Sequence, residues 1–250
     1  MTNHHTQLLR HLYSEKSKKF DKKLLSIPIK SDDEEFFYLP NLCKEFKTTV
    51  IFNEKEKASS FLRKSVAFAF IQAANFFNLK GLTLKVESAY RSLANQKKRF
   101  IKRFTLMKKR YPGKSKTELL LLANTYTAGI PVLASHTAGA AVDVILLDKD
   151  TTPLDFGCPY LYGDVESATE YPGLSKRAKV NRRLLKDGME KFGLMNYPFE
   201  YWHYSNGDVC AAYLTGQKFS KFGPVDYEYD KKKIALPKNH TELYEFFDAH

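Results

Sequence analysis

Along residues 58–78 the apolar positions Phe61, Leu62, Val66, Ala69, Phe70, Ala73, Ala74 and Phe77 recur at helical spacing, which predicts a central core helix. The period then changes to two. Leu82, Leu84, Val86 and Ser88 alternate with polar neighbours, so 81–90 predicts a strand that delivers Tyr90 and Arg91 at its end. A basic helix follows and stops near Tyr111, Pro112 and Gly113. Ser115, with Glu118 three positions later, predicts a capped helix start.

Residues 141–147 predict a strand with Asp143, Ile145 and Leu147 on one face, which aims a carboxylate where the core lies. Residues 174–192 predict a helix with Val180, Leu184 and Leu185 on its apolar side, ended by Gly193, and 201–204 an aromatic strand. Upstream, 36–40 and 48–52 read as extended segments. The expected class is α+β: a small, mainly antiparallel sheet flanked by helices, with the candidate metal site in a cleft over it. Residues 1–35 read as a basic leader, partly helical and loosely attached, and 36–250 as one domain.

Composition narrows the class. The chain has 250 residues, 43% hydrophobic against 27% charged, enough to bury a core. Cys43, Cys158 and Cys210 are odd in number and widely spaced, which suggests neither a disulfide framework nor a thiolate metal site. No stretch has the length of a signal peptide or membrane span, so the expected location is the cytoplasm. The net charge of +12 raises the question of an anionic polymer. The densest basic run, from Lys97 to Arg110, alternates with Phe100, Ile101, Phe104 and Leu106 as an amphipathic helix does, so nucleic acid is not the expected partner.

Candidate chemistry lies in two short segments about sixty residues apart, Ser135 to Asp143 and Glu200 to His203. His136, Asp143 and His203 offer two imidazoles and a carboxylate, leaving one position of a tetrahedral Zn²⁺ open, as a catalytic rather than a structural site requires. A His-x6-Asp spacing cannot lie on one helical turn. It suits a His on a loop that Gly139, Ala140 and Ala141 let fold closely, followed by an Asp on a strand. Glu200, three residues before His203, is placed to act as general base, and Arg91 at a strand exit is the candidate cation for a developing oxyanion.

The segment from Ser135 to Asp143 resembles the S-x-H-x-x-G-x-A-x-D signature, and Glu200 to His203 the E-x-W-H signature, of the D-alanyl-D-alanine dipeptidase family. That family belongs to a group of zinc peptidases with D,D-carboxypeptidases and cell-wall endopeptidases. Ser88 to Ser92 is similar to the family's G-Y-R-P turn and Leu154 to Gly157 to its D-M-G stretch, and the likeness spans roughly residues 80–225. It implies one Zn²⁺ per chain on His136, Asp143 and His203, with Glu200 and Arg91 catalytic. Ser135, Tyr90, Trp202 and Asp155 are candidate substrate contacts for a small peptide ending in D-alanine.

Two positions depart from the family's pattern. Ala134 stands where the family has Ser, and Leu161 where the dipeptidase branch has an aspartate for the substrate's ammonium group, with Asp164 and Asp155 as possible substitutes from a shifted loop. Three activities follow as expectations: dipeptidase, carboxypeptidase or endopeptidase on longer peptides, or a non-catalytic zinc or anionic-polymer binding module.

Overall fold

The structure is a computed structural model that describes residues 3–30, 33–53, 57–161 and 164–235. Asp32 and residues 236–250, the end of the expected domain, lie outside the described residues. In chain order the elements are α1 Asn3–Leu24, β1 Phe36–Tyr38, α2 Leu39–Glu45, β2 Val50–Phe52, β3 Phe61–Arg63, α3 Lys64–Asn78, β4 Thr83–Ser88, α4 Leu93–Arg110, α5 Lys116–Asn124, β5 Ala141–Leu147, α6 Lys176–Glu190, β6 Met195–Asn196, β7 His203–Ser205, α7 Val209–Leu214, β8 Asp226–Glu228 and β9 Lys233–Ala235.

The central sheet runs in the order β2-β4-β5-β7-β6. Only β2 pairs with its neighbour in parallel, so the sheet is mainly antiparallel and the class is α+β, as expected. All seven residues of β5 are buried, which explains why its residues are apolar apart from Asp143. Val66, Phe70, Ala73, Ala74 and Phe77 of α3 share one apolar cluster with Leu84, Val86, Val144 and Leu146 of the sheet. Each such side chain contributes roughly 1.5–3 kcal/mol on full burial. That face carries enough stability for the opposite face to hold polar groups.

Several elements differ from expectation for identifiable reasons. Phe61 and Leu62 do not open the core helix; they form β3, paired antiparallel with β1. A short apolar pair fits a strand or a helix stripe equally well, and here β1 supplies the partner. Arg63 then anchors the junction, its Nε donating to the Ala138 carbonyl at 3.1 Å. Leu39 and Pro40 open α2 instead of extending β1, since Pro is favoured in a first helical turn.

On α6, Val180 is 65% exposed, and the inward face is Ala178, Arg182, Leu185 and Met189. Arg182 sits inside because the carbonyls of Phe156 and Glu166 accept from its guanidinium, each at 2.8 Å. The aromatic strand is β7, which begins only at His203; Tyr201 and Trp202 occupy the turn before it.

The segment read as a partly helical, loosely attached leader contains a 22-residue helix. Its second half docks on the body: Leu24 is 2% exposed, and the Phe20 ring meets Tyr197, Phe199 and Tyr213 edge-on. The low hydrophobicity of α1 concealed this, because few apolar side chains make the contact.

Candidate metal centre and catalytic cleft

The sheet register builds the centre. A β-bulge between Val86 and Ser88 brings Ser88 opposite Asp143, and Asp143 pairs in turn with His203, so neighbouring strands present their polar residues in one row. His136 comes from a 3-10 turn, Ser135–Ala138, closed by Gly139 at φ +67°. Glycine is required there, for a Cβ would lie 2.1 Å from the Phe36 ring. Arg91 follows β4, and its backbone N–H donates to the His136 carbonyl at 3.1 Å, which ties the strand exit to the His turn.

One donor atom from each of His136, Asp143 and His203 lies within 4.8 Å of the others, and all three residues are buried. Asp143 Oδ1 is 3.2 Å from His136 Nε2 and 2.9 Å from His203 Nδ1. His136 Nδ1 is 2.6 Å from the Ala89 carbonyl, so that nitrogen carries the proton and Nε2 presents a lone pair. Burial pushes the His136 imidazole down to about 4, which keeps it neutral at pH 7. A lone pair then faces a carboxylate oxygen across a buried gap, an arrangement that only a cation relieves. The residues fit a zinc ion by donor chemistry as well, with two nitrogens and one oxygen.

The surrounding charges are arranged about this point. Burial alone would raise the Asp143 carboxyl; the two imidazoles outweigh it and hold the group below the usual carboxylate range. The Tyr160 hydroxyl donates to Asp143 Oδ2 at 2.9 Å, occupying the second oxygen. Burial raises the Glu200 carboxyl to about 7, Asp143 adds to this, and His203 and Arg91 oppose it. Its Oε2 is 4.0 Å from His203 Nδ1. The Arg91 guanidinium donates to Gln96 Oε1 at 2.8 Å and Ser88 Oγ at 3.1 Å, while its buried Nε has no partner. Such an arrangement has a cation-binding locus, a carboxylate near neutral pKa and a fixed guanidinium around one cleft.

Arg91, Ser135, His136, Asp143, Glu200 and His203 all line that cleft, together with Ala134 and Leu161. The Ser135 hydroxyl donates to the Asp208 carboxylate. Three expected substrate contacts, Tyr90, Trp202 and Asp155, are not among the residues that line the cleft. Tyr90 is buried against Tyr227 and Val225, Trp202 is buried beside Tyr160 and Tyr201, and the Asp155 carboxylate accepts from Gly157 N–H in an exposed turn. Each has a local packing or turn role. Sequence reasoning missed Tyr160, whose role depends on a fold-back of seventeen residues, and Asp208, which accepts from Ser135, Ser205 and the N-terminus of α7. An Asp opening a helix after Gly207 was the available signal.

A two-imidazole, one-carboxylate centre with a second carboxylate and a guanidinium beside it, on an antiparallel sheet, defines the class of metal-dependent hydrolase sites. Residues 44–223 match the family described as D-ala-D-ala dipeptidase, and the chain belongs to that family. It is 33% identical over 97 residues to the D-alanyl-D-alanine dipeptidase of Enterococcus faecalis, covering 38% of this chain and 46% of that protein. It is 30% identical over 108 residues to that of Synechocystis, covering 37% and 42%.

The match thus spans less than half the length of both relatives. With the dipeptidase of Escherichia coli the identity is 24% over 167 residues, covering 67% and 77%. Among solved structures, the chain is similar to the LD-carboxypeptidase LdcB, with 19% identity, a TM-score of 0.46 and coverage of 82% and 81%. It is also similar to VanYB in complex with D-alanine-D-alanine, with 18% identity, a TM-score of 0.41 and coverage of 63% and 79%.

Proposed function

We propose that the chain is a zinc-dependent peptidase that hydrolyses the amide next to a D-amino acid, with D-alanyl-D-alanine as its substrate. The observation that carries this reading is the convergence of His136, Asp143 and His203 within 4.8 Å, with Glu200 and Arg91 in the same cleft. His136, Asp143 and His203 hold one Zn²⁺ per chain, which supplies a Lewis acid that makes water nucleophilic near neutral pH. Glu200 accepts the proton of the attacking water on its carboxylate and delivers it to the leaving amine. Arg91 offers its charge to the oxygen that becomes negative as the carbonyl turns tetrahedral. Tyr160 and the Ala89 carbonyl orient Asp143 and His136.

The test is D-alanine release by zinc-loaded protein, with Glu200→Gln alongside. The variant is expected to retain zinc and lose about 10²-fold or more in kcat; full turnover by it refutes the mechanism. One observation favours carboxypeptidase action on longer peptides as a second reading. Leu161, 55% exposed, lines the cleft where the dipeptidase branch carries its ammonium-binding aspartate. Release only from a longer peptide ending in D-alanyl-D-alanine would select that reading.

A further inference from the structure

The cleft has a wall that the family match does not include. Residues 44–223 match the family, yet Asp21 and Leu24 of α1 line the same cleft as Arg91, Glu200 and His203. Ser17, Asp21 and Leu24 follow one another at i, i+4 and i+7, so they share the face that α1 turns inward. Leu24 packs with Val132, Val209 and Cys210, and Ser17 Oγ is 3.5 Å from the Tyr197 hydroxyl. Asp21 stands between them, beside the Tyr197 hydroxyl. Among the described residues no Lys, Arg or His forms an ion pair with it, in a chain with 40 basic residues. A largely enclosed carboxylate without a cation is unfavourable by itself, and its open side faces the cleft. The other carboxylates near at hand have other roles: Asp143 with the two imidazoles, Glu200 as the general base proposed above, and Asp164 with the N–H of Val165 at 2.7 Å.

We propose that Asp21, contributed by α1 to the cleft lining, is the subsite for the protonated amino group of the substrate. This rests on the peptidase reading above. It assigns to the amino-terminal helix the recognition that Leu161 cannot perform, and makes that helix part of the substrate site.

The experiment compares free D-alanyl-D-alanine with its N-acetyl form, on zinc-loaded full-length protein carrying Asp21, Asp21→Asn, Asp21→Glu or Asp164→Asn. Turnover gives KM and kcat; calorimetry with Glu200→Gln as background gives binding without hydrolysis. Asp21→Asn is expected to raise KM and Kd for the free dipeptide roughly 10- to 100-fold more than for the acetylated one. Asp21→Glu should restore much of that preference, which a merely structural role for the position would not do. Equal effects on both substrates, or loss of the preference in Asp164→Asn instead, overturn the inference. Wild-type turnover of only the acetylated substrate overturns it while sustaining the peptidase reading. Neither turnover nor binding of either substrate overturns both.

Discussion

Replacing Asp21 by Asn should stabilise the protein, increasingly as the pH rises above about 4. Burial raises the Asp21 carboxyl from 3.8 to about 7, opposed by the bond from Tyr197. A folded state that binds the proton more tightly than the unfolded chain is penalised whenever the group ionises. The penalty is absent below about pH 4, where both states are protonated, grows between pH 4 and 7, and is complete above the folded pKa. At 1.36 kcal/mol per tenfold change in proton affinity, the difference corresponds to about 4 kcal/mol. Residual access to water through the cleft brings the expected gain to roughly 2–4 kcal/mol. Asn keeps the shape and cannot ionise.

Urea unfolding of both proteins, with zinc held at one saturating concentration, should give a gap of only about 1 kcal/mol near pH 4.5 that widens towards pH 8. At about 2–4 °C per kcal/mol for a chain of this size, Tm at pH 8 should rise by roughly 5–10 °C. A gap independent of pH, or a less stable variant at pH 8, refutes the reasoning. The stabilisation should come with the weaker substrate binding described above, since the same uncompensated charge does both.

Two further outcomes test the scaffold. Gly139→Ala places a Cβ 2.1 Å from the Phe36 ring at φ +67°, and that ring is stacked at 4.2 Å on Tyr227; a loss of about 1–3 kcal/mol in urea unfolding and weaker zinc retention are expected, because the His136 turn must shift. Arg182→Ala removes a donor from each of the Phe156, Glu166 and Ala168 carbonyls and a guanidinium 4.4 Å from the Tyr201 ring; a loss of about 3 kcal/mol or more is expected in the same assay, with zinc affinity little changed.

The sequence by itself determined the elements whose signals are local. The apolar stripe of α3, the alternation in β4, the Ser115–Glu118 capping box and the Gly139 turn each follow from the conformational preferences of neighbouring residues. It also named the residues that meet at the centre, because His136, Asp143, Glu200 and His203 are chemically complementary and sit in two short motifs. Only tertiary structure decided what depends on distant partners. Phe61 and Leu62 became a strand because β1 lies beside them, and Arg182 is inside while Val180 is outside because carbonyls from another segment receive the guanidinium. Tyr160 reaches the centre because its loop folds back on Asp143. The helix α1 borders the cleft through one narrow face whose residues, Ser17, Asp21 and Leu24, form no apolar stripe along the chain. Local periodicity reports which face of an element is apolar. It carries no record of which distant segment that face will meet, and that meeting is what closes the site.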